Sequence, residues 1–309
     1  MKTEERSSEE GAFSVKRPKE KSRLGRRARI GSWLFLSPSL IGVLVFFVIP
    51  FFVVIYYSLV NNPIQGEFVG FRNFINVWNN RAFRTASINT LKFSFTAVPL
   101  AVLLSLLLAV VMESNIPCKS QFRTFFLSPI MVPIASVVLI WQVLFHYNGM
   151  MNDLIAVFGM AKIDWLKSVH AQLPVVILFL WKNLGYNMIL FMAALSSIPE
   201  DLIEVAQMEG ATPAQIFFRI KLRYLSSTLL FVTIMSLINS FKVFREVYLL
   251  TGDYPYDTLY MLQHFMNNTF MSLDYQKLSA AAIIMSVVII VLVAVMFIAE
   301  NRFGKDVEG

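Results

Sequence analysis

Six long stretches almost free of charge constrain this chain more than any other feature: Trp33 to Leu59, Leu91 to Met112, Phe125 to Phe145, Leu173 to Leu195, Leu229 to Leu250 and Leu278 to Ala299. A helix rises about 1.5 Å per residue, so even the shortest of these runs covers the roughly 30 Å hydrocarbon layer of a bilayer. Buried helices of water-soluble domains are usually shorter, and barrel strands need only about ten residues. Composition agrees. Of 309 residues, 56% are hydrophobic and only 15% charged, against about a quarter charged in soluble domains. The pattern predicts an all-α integral membrane protein with six transmembrane helices. Lys92, Lys182, Lys242 and Arg245 interrupt it, the last three in the fourth and fifth runs.

Charge then sets orientation. Ten of the 27 Lys and Arg residues precede residue 30, against five acids there, and basic flanks stay on the cytoplasmic side. Alternating sides from that tail puts Lys119, Arg123, Arg219, Lys221, Arg223, Arg302 and Lys305 inside as well. Only seven basic residues then fall in the outer segments, and both termini are expected in the cytoplasm. The expected organisation is a basic tail over 1–30, a transmembrane domain over 31–300 and a short inner tail over 301–309. The run from Trp33 is too long for a cleaved secretory signal and is expected to remain as the first span. The tail reads as a lipid-facing anchor, with no role in nucleic-acid binding.

Several chemistries have no residues to carry them. Cys118 is the single cysteine, so neither an intrachain disulfide nor a Cys-rich metal site can form. His146, His170 and His264 are far apart in sequence, lack ligand spacing and are expected as solvated loop residues. No G-x-x-x-x-G-K-[ST] loop or G-x-S-x-G elbow is present, so the chain is expected to be no enzyme.

The connection over 196–227 is longer than a helical hairpin needs. Ser197 with Glu200, and Thr212 with Gln215, have capping-box spacing, and Pro199 and Pro213 suit first turns. Gly210 supplies a left-handed stop between them. The reading is a helix-turn-helix, 198–209 then 214–223. Leu202, Val205, Ala206 and Glu209 line one side of the first helix and Glu200, Asp201, Glu204 and Gln207 the other. Ile216, Phe217 and Ile220 form a stripe on the second, with Arg219, Lys221 and Arg223 near its end. Composition leaves two uses open: a hairpin lying on lipid, or a knob that docks into a partner.

Glu204-Val205-Ala206, Gly210-Ala211, Phe217 and Ile220-Lys221-Leu222 resemble the signature loop of bacterial binding-protein-dependent importer permeases. The similarity extends along most of the chain, through Val69 to Phe74, Trp181 to Asn187, and Tyr248 to Gly252 with Pro255. It is greatest to the maltose, multiple-sugar and glycerol-phosphate type. The resemblance implies a type I ATP-binding-cassette importer permease in a bacterial inner membrane. The loop would insert as a coupling helix-turn-helix into a separate ATPase through Glu204, Ala206, Glu209, Gly210, Ala211, Phe217 and Ile220. It further implies a second related permease subunit in a heterodimer, two ATP-binding subunits that hold ATP and Mg, and an external solute-binding protein. No cofactor is expected on this chain. Two departures stand out: Val205 replaces a usual Ala, and Arg223 a usual Pro.

Polar residues inside spans are costly and by default face a cavity or a partner helix. In the fifth run Ser236, Asn239, Ser240 and Val243 recur at three and four residues, beside Phe241 and Lys242. The resemblance places the matching stretch at a sugar site, with Asn183, Leu184, Gly185, Asn187 and Met188 of the fourth run completing it. Amides and hydroxyls suit sugar hydroxyls, and Trp141 or Phe241 offers a ring face. Lys242 can pair with Glu246, four residues on, or be left for an anionic solute. An ATP-independent carrier is the rival reading, which inverted repeats would favour; none is evident.

Overall fold

The structure, a computed structural model, describes residue 33 and residues 35–114 and 116–303. The tail over 1–30 and the end of the 301–309 tail lie outside them. The described residues are helical apart from turns and one isolated bridge, Val60 to Phe68. Five helices are long and apolar enough to cross a membrane: α1 (Phe35–Leu59), α3 (Arg81–Glu113), α7 (Gln172–Leu195), the segment Ser226–Thr251 and α14 (Tyr275–Phe303). The short helix α2 (Arg72–Asn79) precedes α3.

The chain forms two units divided at Val53, within α1. In the first, α1 widens into a π turn over Leu44–Val48 just before Pro50. Proline has no N–H and crowds the carbonyl four residues back, and a wider turn relieves that crowding.

In the second unit the third apolar run departs from a single spanning helix. It is split into α4 (Lys119–Met131) and α5 (Ile134–Leu144), bent by 99°. Pro133 drives Val132 into extended backbone, ψ 127°, because the residue before proline avoids the helical region. At 13 and 11 residues the halves reach about 20 and 16 Å, each too short to cross alone. Together they still join the two ends of the unit. Lys119 Nζ reaches the Glu113 carbonyl at 3.3 Å at one end, while Trp141 and Phe145 pack with Leu250 and Leu259 at the other.

Helices α3 and α7 form the spine, and Ser226–Thr251 packs on both as α11 (Ser226–Phe241) and α12 (Phe244–Thr251). Between α7 and α11 lie α8 (Glu200–Met208), α9 (Pro213–Ile216), a π turn over Phe217–Lys221 and α10 (Leu222–Tyr224). The core is layered. Phe93, Trp141, Phe179 and Val247 pack at the end away from the 196–227 connection, and Leu106, Met188, Phe191, Leu225 and Val232 pack towards it.

At the far end, α6 (Met150–Val157) and α13 (Leu262–Met271) fold stretches read from sequence as loops. Asn152 closes one: its Nδ2 donates to the carbonyls of Tyr147 and Ile163, and Trp165 Nε1 donates to its Oδ1 at 3.0 Å. Another polar lattice ties residues 257–262 to the spine. Asn89 donates to the carbonyls of Asp257 and Tyr260, Gln172 to Thr258 O at 2.8 Å, and the Leu262 amide to Thr90 Oγ1 at 2.9 Å.

His146 and His170 are exposed as expected, but His264 is not. It lies on α13 with the buried Leu262, Phe265 and Thr269, fully enclosed, its ring edge-on to Phe244 at 4.7 Å. An amphipathic helix in this connection carries it inwards, where a loop would have left it in water.

Candidate functional site: a hairpin and a polar seam

Two regions hold the residues singled out from sequence. The hairpin forms with a turn at Gly210, φ +83°, in the left-handed region that favours glycine. Of the two expected capping boxes, only the second forms. Gln215 N donates to Thr212 Oγ1 at 3.4 Å and Thr212 N to Gln215 Oε1 at 2.8 Å. Ser197 Oγ instead donates back to the Ala194 carbonyl at 2.7 Å, so Ser197 caps nothing and α8 begins after Pro199. A hydroxyl just past the end of α7 has that helix's orphan carbonyls within reach.

The burial of α8 also differs from the sequence reading. Ile203 and Ala206 turn towards the core, whereas Leu202 and Val205 are exposed beside Glu204 and Glu209. Ala211, Phe217 and Ile220 are half-buried and Gly210 is open. Met208 is 87% exposed and Phe218 65%, so the hairpin presents uncovered apolar tips, with Glu204 and Glu209 near the first and Arg219 beside the second. Their signal was present in sequence, but as single apolar residues outside the proposed stripes.

The polar seam runs between α7 and α11. Asn187 Nδ2 donates to Ser236 Oγ at 3.0 Å, Asn239 Nδ2 to Asn183 Oδ1 at 3.0 Å, and Ser94 of α3 shares a 2.7 Å hydrogen bond with Ser240. Asn187, Ser236 and Ser240 are buried, with Met188, Phe241 and Val243, so within this chain they hold helices together. Asn239 is exposed and does not share their face, and Asn183 and Leu184 are half-buried. Trp141 is buried, tilted against Trp181 at 5.4 Å, so neither proposed ring presents an open face.

Gly185 has a different task from lining a path. A Cβ there would lie 1.8 Å from the Phe126 carbonyl oxygen, so α4 and α7 touch backbone to backbone at this point.

The charges are also partnered differently. Glu246 pairs with Lys182 across the two helices and not with Lys242 along one. Lys242 sits exposed at the break between α11 and α12, with no partner among the described residues. An acid and a base within neighbouring spans seek each other to avoid burying a lone charge, and that signal was available in sequence.

Helices of spanning length, a bent pair between them and a projecting hairpin define an all-helical multi-pass membrane protein. Residues 101–309 match the family described as "Binding-protein-dependent transport system inner membrane component", and the chain belongs to it. It is 28% identical to the trehalose/maltose transport system permease protein MalF of Thermococcus litoralis, over 91% of this chain and 96% of that one. It is 30% identical to the sn-glycerol-3-phosphate transport system permease protein UgpA of Escherichia coli, over 88% and 94%. It is similar in fold to a chain of a bacterial ABC transporter that imports the acidic polysaccharide alginate, with a TM-score of 0.78, 22% identity and coverage of 91% and 99%.

Proposed function

We propose that this chain is a permease subunit of an ATP-driven importer for a carbohydrate, working with a second permease subunit, two ATPase subunits and an external solute-binding protein. The observation that carries the reading is the hairpin: an elbow at Gly210, a formed cap at Thr212 and uncovered apolar tips at Met208 and Phe218. The acidic first helix, with Glu200, Asp201, Glu204 and Glu209, gains nothing from an anionic leaflet, which favours a protein cleft over lipid as its seat. Family membership and relatives for maltose and glycerol phosphate support the solute class. Glu204, Ala206, Glu209, Gly210, Ala211, Phe217 and Ile220 are the proposed contacts to, or supports of, the ATPase cleft. ATP and Mg stay on the partner, and this chain is non-catalytic.

On this reading, closure of the ATPases around ATP moves the hairpin, and the permease pair changes the side to which its cavity opens. Asn183, Asn239 and Lys242, the accessible polar members of the seam, are the best placed to meet solute. Asn187, Ser236 and Ser240 hold the helices that carry them. A second reading, a phosphorylated or acidic sugar, is favoured by the exposed Lys242, which has no partner among the described residues.

Uptake in cells lacking this chain, rescued by the native sequence or by Gly210→Pro, tests the proposal. Proline cannot adopt the +83° φ, so the variant is expected to insert but to lose the ATPase from the membrane and uptake with it. Uptake that persists without ATP would make the chain a carrier. Competition by a neutral and a phosphorylated sugar separates the two solute readings.

A further inference from the structure

At the exit of the hairpin stands Arg223, where the resemblance leads one to expect proline. The chain there does not turn sharply but widens, as the π turn over Phe217–Lys221, and runs through α10 into α11. That turn brings Lys221 back to the spine: its Nζ lies 2.7 Å from Glu113 Oε1, on the last residue of α3. Glu113 also accepts, through its carbonyl, the 3.3 Å bond from Lys119 at the start of α4. One residue thus gathers the hairpin exit, the end of the longest helix and the first half of the bent pair. Beside it a cavity of about 240 Å³, lined by Lys119, Arg123, Met192 and Ser196, separates the start of α4 from the end of α7.

We propose that the Glu113–Lys221 pair is the positioning contact that passes movement of the hairpin into α3 and, through Lys119, into the bent pair. Building on the coupling role proposed above, it names the route by which that movement reaches the spans. A helix carries displacement along its length, and α3, 33 residues long, runs about 36 Å from Glu113 to the loop lattice at Asn89 and Thr90, with Pro99 on the way. Both side chains are only partly exposed, at 18% and 35%, so the pair is screened less than a free surface pair. Its contribution to stability alone is small, and its use lies in fixing where the hairpin exit sits.

The test uses the whole transporter, reconstituted with its ATPase and loaded binding protein, and carrying Glu113→Lys, Lys221→Glu, both together, or Lys221→Arg. Recovery of the complex, ATP hydrolysis with and without loaded binding protein, and uptake are measured. Each single reversal is expected to assemble and retain basal hydrolysis but to lose about tenfold in stimulated hydrolysis and uptake, within the usual range of coupling between sites. The double reversal and Lys221→Arg should recover to within about twofold of native. Singles that couple like native, a double reversal that rescues nothing, or effects confined to complex recovery would each overturn the proposal. Native protein that takes up solute without ATP would instead overturn the importer reading on which it rests.

Discussion

At the scale of single residues, the most consequential placement is His264. It is enclosed on α13, with Nδ1 3.4 Å from the Met261 amide and Nε2 lacking a partner among the described residues; burial pushes its pKa down from 6.5 to about 4, and the nearby Asp253 charge only partly opposes this. The folded protein therefore holds His264 neutral in a range where the unfolded chain binds a proton. The contribution is fully present above pH 6.5 and is lost as pH falls from 6.5 towards 4, by on the order of 3 kcal/mol at most. Thermal unfolding of the detergent-solubilised protein between pH 7 and 5 is expected to show a falling midpoint. His264→Leu should flatten that slope; a slope unchanged by the substitution would assign it to other groups. Sequence reading missed this residue because spacing between histidines speaks only to metal binding, and burial of a lone one depends on the face of a helix that was read as loop.

At the scale of elements, apolar length located the long helices, yet it placed the start of α3 ten residues late and could not distinguish a straight span from a bent one. Length and hydropathy are averages over a run, whereas the 99° bend follows from one dipeptide, Val132-Pro133. The seam shows the same division. Its polar residues were legible as a set, since spans rarely carry them. Which ones turn inwards was decided by partners on other helices: Ser94 for Ser240, Asn187 for Ser236 and Lys182 for Glu246. The crossing of α4 over α7 depends on one missing side chain. Gly185→Ala is expected to push Phe126 away and destabilise by about 2 kcal/mol or more. Gly42→Ala, where nothing lies within 4 Å, should be nearly neutral. Melting curves and membrane recovery of the two variants check the difference, and equal behaviour would show that the helices part without cost.

For the whole molecule, the bent pair decides how the chain threads the membrane. Because α4 and α5 together join the hairpin end to the far end, the connection at Gly159 and the end of the chain are expected on opposite sides. A reporter active only in the cytoplasm should work when fused after Gly309 and fail when inserted at Gly159; activity at both would mean that the bent pair turns back without crossing. The carbonyl of Phe126 finds its seat only against Gly185, made 59 positions later, and neither half of the bent pair is long enough to rest alone in a bilayer. As the chain leaves the ribosome, α4 and α5 must therefore wait, held by the insertion machinery or lying at the interface, until α7 has been synthesised and can receive them.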